Sequence, residues 1–153
     1  MKKSILISLI VSSVIVLDQI TKYLVNRYID ASDSVEIFPF LHIVNVRNTG
    51  AAFGILKDLN SGFFILVSAG AILFISYLLI KNAYNYVGLS LLLGGALGNL
   101  IDRMLYGKVV DFIDFSLGEF HWPAFNVADS SLTIGIAVVF LNLILRSKKH
   151  LII

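Results

Sequence analysis

Cysteine is absent from these 153 residues and charge is scarce: Asp, Glu, Lys and Arg make up 14% of the chain, against 58% hydrophobic residues. The first absence excludes disulfides, thiolate nucleophiles and Cys-ligated metal sites, and it is silent about redox compartment. The second excludes an ordinary soluble domain, in which about 25% of residues are charged. A formal net charge of +2 is too small to point to nucleic acid. Internal repeats are also lacking, and repeats are what many transporters show.

Long apolar runs fill the chain instead. Four windows approach the roughly 20 residues that a helix needs to cross the hydrocarbon of a bilayer: Ile5–Leu24, Phe63–Ile80, Val87–Leu105 and Ala128–Leu145. The expected fold is therefore a membrane α-helical protein, one integral domain of residues 1–153 with four transmembrane helices. The first window also has the basic start of a cleavable signal peptide, in Lys2 and Lys3. No A-x-A-like site follows it, however, and Asp18, Gln19 and Lys22 continue a helical spacing. Six basic residues fall on each side of a four-span layout. Those at the two termini and at Lys81 crowd into short segments, which favours termini inside the cell.

The polar residues collect in the two connections on the far side. The first, about 26–62, contains VEIFPFLHIVNV, which reads as a small interfacial sheet with Pro39 at an edge or a bulge. Gly50 and Gly54 punctuate a turn after it, with room for a short amphipathic piece. The second, about 106–127, is an aromatic-rich loop in which Phe112, Phe115, Phe120, Trp122 and Phe125 suit a headgroup-level belt better than substrate stacking.

Within the membrane the ionisable residues mark function or pairing, because a carboxylate at that depth is costly by roughly 2.5–3.5 kcal/mol. Asp18 and Lys22, at i and i+4, share a helix face and read as a structural ion pair. In GGALGNLIDR, Gly94 and Gly98 permit close helix approach, and Asn99 and Arg103 share a face that lipid would not tolerate. Asp102 is either part of that set or a boundary pair with Arg103. Asp111 in GKVVDFIDF and Asp129 in FNVADSS stand at the edges of the last two apolar stretches, where two carboxylates in reach of each other can share one proton. Asp114 and Glu119 compete with them, and each also reads as a solvated or paired charge.

Taken in order, DQITK at 18–22, RNTGAAFG at 47–54, GGALGNLIDR at 94–103, VVDFI at 109–113 and FNVADS at 126–130 resemble the lipoprotein signal peptidase (signal peptidase II) family over nearly the whole chain. The resemblance implies an intramembrane aspartic endopeptidase of the bacterial cytoplasmic membrane, multi-pass, with its active site near the outer face. Its substrate would be diacylglyceryl-modified prolipoprotein, cut just before the lipidated cysteine. Carried over by residue, it makes Asp111 and Asp129 the catalytic pair, with Asn48, Asn99, Arg103, Asn126 and Ala128 binding substrate and shaping the site. It assigns Asp18 and Lys22 a structural role. The expected enzyme works as a monomer in contact with membrane lipid, and needs no metal or cofactor. The first connection then serves as a lid or cradle.

The chemistry can be reached without the family. Splitting an amide near neutral pH needs a base for water and an acid for the carbonyl oxygen and the leaving nitrogen. Two carboxylates around one water supply both, and the residues alone do not say which is protonated. A small ion or proton-coupled transporter would also bury carboxylates, but there is no internal repeat and the second span is free of ionisable residues; a membrane assembly protein would explain the glycines and aromatics but not the clustered Asp, Asn and Arg.

Overall fold

The computed structural model describes residues 2–50 and 61–150, with side chains through residue 147. The segment 51–60, which holds Gly54, Lys57 and the end of the RNTGAAFG stretch, lies outside the described residues, as does the amphipathic piece expected there. Helix α1 (Lys3–Tyr28) leads into a hairpin of β1 (Ser34–Phe38) and β2 (Leu41–Asn48). Next come α2 (Ser61–Ile80), α3 (Tyr86–Tyr106), β3 (Val109–Leu117), β4 (Phe120–His121) and α4 (Val127–His150). Each expected apolar window thus falls inside a helix.

Among the described residues three helices, not four, are long and apolar enough to cross a membrane: Lys3–Tyr28, Ser61–Ile80 and Val127–Ser147. The exception is α3, which has 21 residues but ends in Asn99, Asp102 and Arg103. It differs because it is the centre of the bundle, packed against α1, α2 and α4. Surrounded by helices, it has no need of an apolar face all round. The other three present large apolar side chains outward, such as Leu9, Leu66, Leu73 and Phe140, as lipid-facing helices do.

Close approach to α3 depends on its glycines. A Cβ on Gly94 would meet Val14 Cβ at 2.8 Å, and one on Gly95 would meet the Ala128 carbonyl oxygen at 2.5 Å. Both α1 and α4 therefore lie nearer to α3 than any side chain there would allow. The start of α3 is capped by Asn85, whose side chain accepts from the Val87 and Gly88 amides. Its end is set by Gly107 at φ 70°.

One four-stranded antiparallel sheet, in the order β1-β2-β3-β4, lies at the α1 C-terminal end of the bundle. Two expectations change here. Pro39 occupies neither an edge nor a bulge: Phe38 pairs with Leu41, so Pro39 and Phe40 form the hairpin turn itself, where a fixed φ is favourable. The second connection is not simply a loop, because VVDFIDFSL forms β3 and pairs with β2. Its β-branched and aromatic residues favour a strand, and strand formation buries Val110 and Phe112 against Val25 of α1. Four rings, Phe38, Phe40, Phe115 and Phe125, stack in succession across the sheet with centroids 5.7, 6.5 and 6.0 Å apart.

Candidate active site

Asp111 comes from a strand and not from the end of a membrane helix. It sits in β3, opposite Val46 of β2, while Asp129 sits in the first turn of α4. Both carboxylates open on one cavity of about 1160 Å³, whose wall also carries Asn48, Asn99 and Arg103.

Asn126 joins the two acids. Its Nδ2 donates to Asp111 Oδ1 at 2.7 Å, and its backbone N–H donates to Asp129 Oδ2 at 3.3 Å. In return its Oδ1 accepts the Asp129 amide at 2.9 Å. The exchange between residues three apart is a capping box, with Asn126 as N-cap and Asp129 in the role usually taken by Glu. A local rule of helix initiation therefore fixes where the Asp129 carboxylate points. Full burial of Asn126 removes water as a competitor for these bonds.

Each acid has one further side-chain donor. Asn48 Nδ2 reaches Asp111 Oδ2 at 3.0 Å, while Asn48 Oδ1 accepts from the Gly50 amide at 2.9 Å. Asn99 Nδ2 reaches Asp129 Oδ1 at 2.8 Å. Burial raises the Asp111 carboxyl to about 6, and the negative charge of Asp129 pushes the same way; the bonds from Asn48 and Asn126 and the charge of Lys22 oppose them.

Arg103 spans the approach to the pair. Its guanidinium stands 5.5 Å from the Phe64 ring centroid, and its nitrogens lie 3.4 Å from the carbonyl oxygens of Asn99 and Gly50. Among the described residues it has no salt bridge. The boundary pair of Asp102 with Arg103 does not form: Asp102 is buried and lies 3.0 Å from Lys22 Nζ. Its other oxygen accepts from Gln19 Nε2 at 2.9 Å.

Asp18 and Lys22 do pair, at 2.7 Å, but within the interior rather than at a helix end. Asp18 Oδ1 also accepts the Ala128 amide at 2.9 Å, next to Asp129. Ala128 is fully buried, and a Cβ on Gly98 would touch its methyl at 3.3 Å. It shapes the site by packing and does not line the cavity. Asp114 borders the cavity too, with its carboxylate 2.9 Å from His121 Nδ1; Glu119 is exposed in the turn before β4. The sequence reading did not single out Gln19 as a ligand of Asp102, or His121 as the partner of Asp114. The i,i+3 spacing of Gln19 and Lys22 was the available signal for the first; nothing local signals the second, which depends on how β4 folds back. Among the described residues no group of three or more His, Asp or Glu is placed to hold a metal ion.

The family model Peptidase_A8, described as signal peptidase (SPase) II, matches residues 10–145. The lipoprotein signal peptidase of Thermodesulfovibrio yellowstonii is 49% identical over 131 residues, covering 85% of this chain and 89% of that protein. That of Brevibacillus brevis is 43% identical over 147 residues, covering 93% and 97%. Two bacterial membrane enzymes solved by the in meso method superpose with TM-scores of 0.86 and 0.80, at 42% and 43% identity. The first match covers 94% of this chain and 90% of that one, the second 90% and 91%.

Proposed function

The chain belongs to the signal peptidase II family of membrane aspartic peptidases, and from that premise we propose that Asp111 and Asp129 form its catalytic dyad and remove the signal peptide of diacylglyceryl-modified prolipoprotein just before the lipidated cysteine. The observation that carries the reading is Asn126, one side chain and its own amide tying both carboxylates into one cavity wall.

Asp129 is the ionised member. Each acid receives two N–H donors, but only Asp129 lies in the first turn of a helix, α4, whose dipole favours an anion. Asp111, raised to about 6 by burial, is the member that carries the proton below that pH. Water held between them gives a proton to Asp129 as its oxygen bonds to the scissile carbonyl carbon, and Asp111 protonates the carbonyl oxygen. Collapse of the tetrahedral intermediate breaks the C–N bond. The proton on Asp129 passes to the leaving cysteine nitrogen, and a hydroxyl of the intermediate returns a proton to Asp111, restoring both acids. Arg103, Asn48 and Asn99 face the same space and position the peptide.

The layout follows from the same reading. We place four helices across the bacterial cytoplasmic membrane, with α3 crossing in contact with the other three and both termini in the cytoplasm. Lys3 donates to Asn82 and stands 5.1 Å from the Tyr86 ring centroid, which supports the N-terminus and the α2–α3 turn sharing one side. The sheet then lies on the outer face, where acyl chains remain in the bilayer while the scissile bond is at headgroup depth. The enzyme acts as a monomer.

Purified protein is to be incubated with a diacylglyceryl-modified precursor and with the same precursor unlipidated. We expect cleavage of the first alone, and none with Asp111→Asn or Asp129→Asn. Equal cleavage of both precursors removes the lipid requirement; near-parent rates in either variant remove the dyad.

A further inference from the structure

Lys22 lies behind the dyad and makes no hydrogen bond to either acid. Its ammonium is buried among three oxygens: Asp18 Oδ2 at 2.7 Å, Asp102 Oδ2 at 3.0 Å and Asn99 Oδ1 at 3.0 Å. Two carboxylates already neutralise it, so the third contact is not needed for charge balance. That contact constrains chemistry, because an amide can present either its oxygen or its NH2 group to a neighbour. The ammonium carries hydrogens only. With Asn126 Nδ2 also aimed at Asn99 Oδ1, at 3.3 Å, the oxygen is held on that side and the nitrogen is left to face Asp129. A flipped Asn99 would oppose oxygen to carboxylate at one end and NH2 to ammonium at the other.

We propose that Lys22 is a positioning residue for the cleavage reaction: by fixing the orientation of the Asn99 amide, it keeps a donor on Asp129 and holds that carboxylate ionised and aimed at the water. This rests on the dyad reading above. The charged groups surrounding Asp129 are Asp111 from β3, Arg103 from α3, and Asp18 and Lys22 from α1. Lys22 is the one of them that bonds the side-chain amide of Asn99.

The test must separate orientation from mere folding. Lys22→Met alone would strand two buried carboxylates. Lys22→Met combined with Asp102→Asn keeps the local charge of Asp18, Lys22 and Asp102 at its original sum, with Asp102→Asn alone as reference. Melting temperature and helix content in detergent identify folded protein. We expect the pair to lower kcat on the lipidated precursor by about 100-fold relative to the reference, the scale of a misplaced catalytic group. KM should change little. The acid limb of the kcat profile should move to higher pH, since Asp129 loses the donor that favours its anion. On an Asn99→Ala background, with no amide left to orient, the Lys22 change should add less than about 3-fold.

A pair that matches the reference in kcat and acid limb, or whose effect multiplies fully with Asn99→Ala, overturns the proposal. If the Met pair does not fold, Lys22→Leu with Asp102→Asn takes its place; failure of both to fold assigns Lys22 to stability and also overturns it. Failure of the dyad reading is distinct, since Asp111→Asn and Asp129→Asn would then still cleave.

Discussion

Asn126 uses its backbone amide and both ends of its side-chain amide on the dyad, so the acids are placed by one residue that has no chemistry of its own. The arrangement has an energetic cost, borne by Asp111. A carboxyl held near 6 in the folded protein ionises less readily than in the unfolded chain, so stability is greatest below its ordinary value of 3.8 and is lost as pH rises through about 6. Asp111→Asn cannot ionise and should escape that loss. Its thermal stability should exceed the parent's at pH 7 by up to about 3 kcal/mol and converge with it below about pH 4, as thermal melts across pH would measure. In the proposed mechanism activity depends on the same group. If Asp111 is the acid, kcat/KM for the lipidated precursor should fall as pH rises through about 6, giving the alkaline limb of a bell whose two limbs belong to the pair. A rate that keeps rising to pH 8 would assign the proton elsewhere.

At the scale of elements, the α3–α4 crossing determines whether Asn99 reaches Asp129 at all. Gly95 faces the Ala128 carbonyl, a backbone atom next to Asp129 that cannot rotate away. Gly95→Ala should force the two helices apart, cost roughly 1–3 kcal/mol of stability as overpacking does, and reduce cleavage about 10-fold or more by parting the donor from its acid. Gly70→Ala is the control, because nothing lies within 4 Å of a Cβ there; it should leave both melting temperature and rate unchanged. Gly94 and Gly98 of α3 were legible from their small-xxx-small spacing and Asp129 from its place at the edge of an apolar run, whereas Gly95 was not singled out and Asn126 was marked only by the family resemblance. The origin of Asp111 in a strand was not, since aromatics in VVDFIDFSL suit an interfacial belt as well as a sheet. The partner of Asp102 was hidden for a different reason. Lys22 and Asp102 are 80 positions apart, and only the packing of α1 on α3 brings them to 3.0 Å.

For the molecule as a whole, four apolar windows were enough to reveal a membrane protein, yet hydropathy alone underrates the helix that holds the site. The more completely neighbours enclose α3, the more polar it can become, so a helix packed in this way carries a weak hydropathy signal whether or not it crosses. Its crossing can be tested directly, because the parent contains no cysteine and single cysteines can be introduced on a silent background. Ala83, in the turn between α2 and α3, and Glu119, in the turn before β4, are both exposed. If α3 spans the bilayer, these positions lie on opposite sides. A membrane-impermeant maleimide added to intact cells should label Glu119→Cys and not Ala83→Cys, and after permeabilisation it should label both. Labelling of both in intact cells would mean that α3 does not cross, which would put the turn at Ala83 and the sheet carrying Asp111 on the same face of the membrane.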